Sequence, residues 1–406
     1  MNNLTIAAIL ISLTLPALAA GKITVAQLEQ LVTAAHSISD KAAAEQIGAL
    51  ILSERISNAR LEKMESQLPG PESKSALDAL ACAAQFLDLP SSDIPQTPPP
   101  SIDQQRAIVL RAVQFAADNL HQMPDLLATR KTVEYLNVEY APQSWTSKMA
   151  SDNAARPDFD IQGPFRTVGS SQAAMVYRNG HEEFDHGGAS ASPRTYRVIN
   201  RGAFGEFLRL VMTDMIQSSI TFSHWEQDRG KTLAVFRYSV PKGKANYQWT
   251  YCCTDGPGGK RLLVQDPAAY RAELAIDPQT GAVMRLVVKT DPDSNVILKA
   301  SEAVEYGPVD IGERQYFCPV KDVVLFITRD YDAEAGNFAV GEQPDFLSTV
   351  RSSNTPFLSV ALNHASFDNY HVFRSNVQIL SSDDQIAPPA GQGTGNSQTT
   401  NASPPN

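Results

Sequence analysis

The chain has 406 residues, of which 43% are apolar and 19% are charged, so it can fill one large core or two to three small ones. Its formal net charge at pH 7 is −10, and its basic residues are scattered along the chain. Proteins that hold phosphate backbones cluster Lys and Arg on one surface. The sequence therefore predicts a globular protein with no nucleic-acid partner.

The first twenty residues predict an export signal. A largely apolar, uncharged run extends from Leu4 to Ala20, is interrupted by Pro16 and ends in small residues, as signal-peptidase sites do. The preceding Met1–Asn3 lacks the usual Lys or Arg, and an uncleaved anchor is the alternative, although the run is short for a span of about 20 residues. We expect residues 1–20 to be a cleaved signal peptide and the protein to be periplasmic or extracellular.

Residues 21–90 have the pattern of a small helical domain. Thr24 and Gln27 are spaced as a capping box, and four amphipathic stripes follow at helical spacing. Such stripes favour an antiparallel bundle that packs on itself or covers one side of a sheet. A proline-rich segment, residues 91–101, predicts a linker after this domain.

Residues 102–380 predict a helix followed by an antiparallel sheet. A capped helix begins after Ser101, and a short helix at Phe204–Met215 interrupts a series of alternating strands. Turn signals separate these strands at roughly ten-residue intervals, which favours an all-antiparallel sheet, open or barrel-like. Residues 381–406 contain almost no bulky apolar side chain and predict a disordered tail. The predicted strands are Thr132–Tyr140, Ala173–Arg178, Thr195–Ile199, Thr232–Val240, Tyr247–Tyr251, Tyr270–Ile276, Val283–Lys289, Ile297–Tyr306 and a pair of segments from Gln315 to Thr328, with a loop at Gly307–Gly312 before that pair.

Four cysteines allow one disulfide bond in an exported chain. Cys252 and Cys253 are neighbours that point to opposite faces of a strand, so at most one of them can pair across the sheet with Cys318. Cys252–Cys318 is the candidate bridge, and buried free thiols are the more frequent outcome for such cysteines.

Two segments resemble chemical motifs but miss an essential feature. His181 and His186 are five residues apart, which places them about 140° apart on a helix, and glycines bracket them as a loop. Asp291–Asn295 with Glu302 has the ligand spacing of a calcium loop, but Val296 replaces the glycine that makes its turn. No nucleophile elbow, phosphate loop or dinucleotide motif is present. The sequence predicts no catalytic residue, no metal site and no cofactor.

One aromatic stripe is a candidate ligand site. Aromatic side chains alternate along two neighbouring strands and could line a groove, although such a stripe is more often core, because a sheet must bury one face. The candidate ligand-binding residues are Phe236, Tyr238, Tyr247, Trp249 and Tyr251.

The predicted order of an export signal, a long helix and a curved antiparallel sheet resembles the architecture of the periplasmic lipoprotein carriers LolA and LolB and of the lipid-sensing regulator RseB. In these proteins the sheet forms a half-barrel. This resemblance covers about residues 102–330, and it implies an apolar concavity that shelters acyl chains under a helical lid. Five short segments of this chain also resemble segments of a group of uncharacterised exported bacterial proteins, for which no activity is known. The segments are Phe236–Pro241, Ile276–Gly281, Val304–Gly312, Cys318–Val320 and Phe367–His371.

These observations predict an α+β protein in which a small N-terminal helical bundle precedes a curved antiparallel half-barrel crossed by helices. The expected function is non-enzymatic: binding of an acyl chain, lipid or lipidated protein in the concave face. The alternatives are a structural or protein-interaction module of the cell envelope without a small ligand, and a hydrolase that would need His181, Asp185 and His186, or a similar set, to converge in a cleft.

Overall fold

The computed structural model of the protein describes residues 22–140, 165–184, 202–255, 261–292, 297–330 and 357–372. The predicted signal peptide, the predicted strand Thr195–Ile199 and the predicted tail lie outside these ranges. No helix in the described part of the chain combines the length and apolarity that a bilayer span requires.

Four helices form the N-terminal bundle: α1 (Val25–Ala35), α2 (Asp40–Gly48), α3 (Asn58–Gln67) and α4 (Pro71–Ala83). The capping box at α1 is confirmed, because Gln27 N donates to Thr24 Oγ1 at 3.3 Å and Thr24 N donates to Gln27 Oε1 at 2.8 Å. The apolar stripes of the four helices meet in a core of their own. The predicted bundle is therefore present.

Ten strands form one open antiparallel sheet, and two more form a separate hairpin. The order in the sheet is β3-β2-β1-β12-β11-β10-β9-β8-β5-β4, and β6 pairs with β7. Together with the helices, this sheet makes the protein α+β, as predicted. The strands are β1 (Leu126–Tyr140), β2 (Arg166–Arg178), β3 (His181–Phe184), β4 (Thr221–Asp228), β5 (Lys231–Val240), β6 (Gln248–Asp255), β7 (Arg261–Pro267), β8 (Ala269–Ile276), β9 (Val283–Asp291), β10 (Ile297–Ile311), β11 (Arg314–Asp330) and β12 (Phe357–Val372).

Two strand predictions were wrong, and the segment from His181, which was predicted to be a loop, is strand β3 (His181–Phe184). The loop predicted at Gly307–Gly312 is mostly strand, because β10 continues to Ile311 after a register shift between Glu305 and Tyr306. The pair of segments predicted after it is the single 17-residue strand β11. A glycine and a proline inside a strand are tolerated where a bulge changes the pairing, and sequence periodicity does not reveal that pairing.

Helices α5 (Ile102–Gln122) and α6 (Glu206–Ile216) cover one face of the sheet, which we call the inner face. The α5 stripe is narrow, with Ile108, Ala112 and Ala116 buried. Helix α6 contributes larger side chains: Phe207, Leu208, Val211, Met212 and Met215. The largest core of the protein lies in this layer.

Glycines let α5 approach the sheet closely. Gly281, at the β8–β9 turn, has φ +81°, and a Cβ atom there would lie 2.5 Å from the backbone of Arg111 in α5. Gly205, just before α6, has φ +155°, and its Cβ would lie 2.5 Å from Leu120 Cδ2. Both positions require glycine for conformation and for space.

The N-terminal bundle covers the opposite, outer face of the sheet. Ala79, Cys82 and Phe86 pack against apolar side chains of β10, β11 and β12, such as Val323 and Leu362. The bundle thus packs on itself and also covers one side of the sheet. All the described residues belong to one compact unit.

A buried network of charged side chains joins the bundle to the outer face. Arg55, in the segment before α3, donates to Glu226 Oε2 at 2.8 Å, and Arg285 of β9 donates to the same oxygen at 2.6 Å. Arg285 also lies 3.1 Å from Glu273 Oε1, and Arg237 lies 2.7 Å from Glu273 Oε2. Every buried carboxylate in this network therefore faces two guanidinium groups.

This network makes stability depend on pH in acid. Burial raises the pKa of Glu273, but Arg285 and Arg237 outweigh it and hold the pKa at about 2, below the ordinary 4.5. Because the pKa of Glu273 is lower in the folded state, its ionised form stabilises the fold. This contribution is fully present above about pH 4.5 and is lost as the pH falls towards 2. We expect the free energy of unfolding to fall in this window, by on the order of 2 kcal/mol from Glu273 alone, as measured by urea unfolding at several pH values. A Glu273→Gln variant should lose less over this window; an equal loss in both proteins would contradict the assignment.

Candidate functional site

The candidate site is the interior between the inner face of the sheet, α6 and the start of β6. Tyr247 lies directly before β6, the first strand of the β6–β7 hairpin. Its ring lies 5.4 Å from that of Phe207 in α6 and 5.8 Å from that of Tyr270 in β8. The hairpin therefore packs against both the helix and the sheet. Aromatic rings at these distances contribute about 0.5–1.5 kcal/mol per pair beyond their burial.

Helix α6 is anchored in this interior by buried polar contacts. Asp214 accepts hydrogen bonds from Tyr270 Oη at 2.6 Å and from Asn246 N at 2.9 Å. Tyr238 Oη donates to the carbonyl oxygen of Val211 at 2.7 Å. Hydrogen bonds to a buried charge are strong, on the order of 1.5–3 kcal/mol, so α6 is held firmly over β5 and β8.

Four of the predicted ligand-binding residues lie in this interior. Phe236, Tyr238, Tyr247 and Trp249 expose only 1%, 4%, 8% and 2% of their surfaces. Tyr251 is in β6, but its side chain is outside the described part of the structure. The four described side chains belong to the core of the inner face, and Tyr238 also borders an open cleft of about 640 Å³ beside β5 and β8.

A buried carboxyl group lies at the centre of the inner face. Glu302 of β10 accepts a hydrogen bond from Tyr247 Oη at 3.0 Å through Oε2, while its Oε1 has no hydrogen-bond partner in the described structure. Burial, and then the nearby Asp322 carboxyl, raise the pKa of Glu302 well above its ordinary range. Burial therefore favours the neutral form of Glu302, in which its free oxygen can carry an O–H donor.

Two further polar atoms in this layer have no described partner. They are Tyr306 Oη and Trp249 Nε1, and each residue is only 2% exposed. Burial, followed by the Glu302 carboxyl, raises the pKa of Tyr306, so its hydroxyl stays protonated. Native proteins leave few buried polar groups without a partner. The interior thus contains three buried groups that can donate hydrogen bonds: an indole N–H, a phenol and a neutral carboxyl.

Glu182 of β3 positions the segment that leads into α6. Its carboxylate accepts hydrogen bonds from Gly202 N at 2.8 Å and Phe204 N at 2.7 Å. The neighbouring His181 is exposed on the edge strand. Because Asp185 and His186 lie outside the described residues, the hydrolase alternative built on these side chains stays a hypothesis.

The candidate Cys252–Cys318 bridge does not form in this structure. Cys318 is a buried free thiol on β11, and its Sγ lies 3.9 Å from Met123 Sδ. Cys252 belongs to β6, which pairs with β7 in the separate hairpin and not with the sheet that contains β11. The periodicity of a strand shows which way a cysteine points but not which sheet the strand joins.

Sequence reasoning missed the polar groups of β10. It considered Glu302 only as the last position of a calcium loop, whereas the structure places it inside the protein, bonded to Tyr247. Residues 293–296 of that loop lie outside the described ranges. The available signal was the alternation of Glu302, Val304 and Tyr306 on one strand face, which places two polar groups in an apolar stripe.

Comparisons with known proteins show only a distant structural likeness. No protein-family model matches the chain, and no curated protein matches it. Among solved structures, a DUF1329 family protein from Desulfovibrio piger matches with a TM-score of 0.27 and 10% identity, over 66% of this chain and 93% of that chain.

Proposed function

We propose that the protein binds an apolar ligand with an uncharged polar end. The ligand would lie in the interior between the inner face of the sheet and α6, and the protein would bind it without catalysing a reaction. In this proposal the open sheet is a curved half-barrel, with α5 and α6 as its cover. The predicted export signal favours the cell envelope as the place of action, with a lipid or a lipidated protein as the ligand.

The observation that carries this proposal is the set of three buried polar atoms in this layer that have no described hydrogen-bond partner. Trp249 Nε1, Tyr306 Oη and Glu302 Oε1 are buried without a described partner. Leaving one buried donor unsatisfied costs about 1–3 kcal/mol. A ligand that supplies acceptors to these groups would recover this free energy on binding.

The same groups define the chemistry of the polar end. All three can donate, so the ligand should carry acceptor oxygens, as an acyl ester or amide does. A negatively charged end is disfavoured, because the carboxyl groups of Asp322 and Glu182 raise the pKa of Glu302 and the Asp322 effect is larger than the lowering by Arg130. An acyl chain is the matching apolar part, since the surrounding side chains are aliphatic and aromatic.

Native mass spectrometry with lipid extraction of the mature protein, purified from its own envelope fraction, tests the proposal. We expect bound acyl species in the wild type. Two variants remove donors: Tyr306→Phe, which keeps almost the whole size of the side chain, and Trp249→Phe, which leaves a smaller ring. We expect each to retain at least about tenfold less ligand, which corresponds to about 1.4 kcal/mol of binding free energy. A dansylated fatty acid ester, added to delipidated protein, gives a second measurement of affinity.

Trp225→Phe is the matched control, because Trp225 Nε1 already donates to the carbonyl oxygen of Pro98 at 2.9 Å, outside the interior. This variant should retain the ligand. Circular dichroism of each variant shows whether it is folded. An apo mass for the wild type, or equal retention in all three variants, would refute the proposal and favour the structural or protein-interaction alternative.

A further inference from the structure

A second cluster of chemically active side chains lies on the outer face, where α4 meets the sheet. Asp78 and Cys82 are one turn apart on α4, so both point to the same side of the helix. His364 is on β12, in the outer-face register of Val360 and Leu362. The cluster therefore joins two elements that are 286 residues apart in the chain.

The donor atoms of this cluster lie at distances suitable for one metal ion. His364 Nδ1 is 2.8 Å from Asp78 Oδ2, Cys82 Sγ is 3.7 Å from Asp78 Oδ1, and the three ligand atoms all lie within 4.8 Å of one another. In a tetrahedral zinc site, bonds of about 2.0–2.3 Å place neighbouring ligand atoms roughly 3.3–3.6 Å apart. The 3.7 Å distance between Cys82 and Asp78 lies close to this range, whereas the 2.8 Å contact between His364 and Asp78 is a hydrogen bond that has to open when a metal binds.

The set of donors also matches the preference of zinc. Thiolate, imidazole and carboxylate are the three side-chain ligands that Zn²⁺ takes in proteins, whereas Ca²⁺ and Mg²⁺ prefer oxygen alone. Cys82 is buried, while Asp78 and His364 keep 25% and 16% of their side chains exposed. The cluster is thus accessible from solvent on one side, where a water molecule can complete four-coordination.

Other contacts orient the ligands. Tyr135 Oη donates to Asp78 Oδ2 at 3.3 Å, and Lys321 Nζ lies 3.9 Å from Asp78 Oδ1. Second-shell hydrogen bonds of this kind hold a carboxylate in place. Lys321 also contacts Cys82, so its ammonium group has to leave both side chains when a metal binds.

We propose that Asp78, Cys82 and His364 form a binding site for Zn²⁺ that clips helix α4 to strand β12. This site is separate from the proposed ligand-binding interior, which lies on the opposite face of the sheet.

Metal titration of the purified protein tests the proposal. We expect about one Zn²⁺ per chain by elemental analysis after dialysis, and a rise in Tm when Zn²⁺ is added to the apoprotein. With Co²⁺ as the probe, thiolate coordination should give a ligand-to-metal charge-transfer band. Cys82→Ser and His364→Gln should remove the band and weaken Zn²⁺ binding by at least about 10- to 100-fold, as even second-shell changes do.

The chain offers controls that leave the cluster intact. Cys318→Ser removes the other described buried thiol, and combining it with Cys252→Ser and Cys253→Ser leaves Cys82 as the one thiol in the chain. Both proteins should keep the cobalt band. Absence of metal binding in the wild type, loss of the band in the Cys82-only protein, or wild-type binding in folded Cys82→Ser would each overturn the proposal. The Cys82-only protein decides the matter even where Cys82→Ser fails to fold.

Discussion

Replacing Glu226 with Ala should lower the free energy of unfolding by about 3–5 kcal/mol, because it leaves two buried guanidinium groups without their shared carboxylate. Arg55 and Arg285 are 5% and 6% exposed, and both bond to Glu226 Oε2. Urea unfolding at pH 7, followed by tryptophan fluorescence, measures the change. The loss should also loosen the N-terminal bundle, since Arg55 reaches the sheet through this contact.

An exposed ion pair supplies the matched control for Glu226. Lys131 and Asp368 are 2.5 Å apart on neighbouring strands, with about half of each side chain in water. Such pairs contribute about 0–1 kcal/mol. Asp368→Ala should therefore leave the unfolding midpoint almost unchanged. A similar effect of the two substitutions would show that burial of the network contributes little.

Replacing Phe236 with Ala should destabilise the protein by about 3–5 kcal/mol, the usual cost of removing a fully buried aromatic side chain. Phe236 of β5 is 1% exposed, and its ring lies 5.7 Å from that of Phe222 in an edge-to-face arrangement. It packs in the same core as α6. Chemical denaturation measures the loss.

Ile102→Ala is the control for Phe236, because Ile102 is a large apolar residue that is 75% exposed at the start of α5. Its effect should stay within about 0.5 kcal/mol. If Phe236→Ala retained full stability but lost bound acyl species, Phe236 would be a ligand contact and not core. This outcome would support the hypothesis, drawn from the sequence, that these aromatic residues line a ligand groove.

The two faces of the sheet have different roles in our proposals. The inner face, with Glu302 and Tyr306, would bind the ligand, whereas the outer face carries the charged network and the zinc cluster. Both outer-face features connect the N-terminal bundle to the sheet, through Arg55 and through Asp78. Substitutions on the outer face are expected to affect stability and metal content more than ligand retention.

Local periodicity was sufficient for most elements of the fold. The capping box at Thr24 and the strands predicted at Thr232–Val240 and Tyr270–Ile276 each depend on neighbouring residues, and the structure confirms all three. Propensity, capping and pleat spacing act over fewer than ten or so residues, so they are readable from the chain alone.

Strand order, by contrast, required the tertiary structure. Strand β12 carries many polar residues and was not predicted, yet it pairs with β1 on one side and β11 on the other. Its pairing with β1 joins residues more than 200 positions apart, and no local pattern encodes such a partner. The sequence did not reveal the separate β6–β7 hairpin, for the same reason. This hairpin keeps Cys252 out of the sheet that contains Cys318.

The sequence by itself determined the α+β class, the N-terminal bundle and the aromatic identity of the interior, because composition and periodicity are properties of short segments. Only the tertiary structure decided that Phe236 and Tyr238 are covered by α6, that Glu302 is buried beside Tyr247, and that Asp78, Cys82 and His364 meet. The burial of a side chain and its proximity to residues distant in the sequence depend on long-range packing. The pKa and reactivity of a carboxyl or a thiol are therefore set only once the chain has folded.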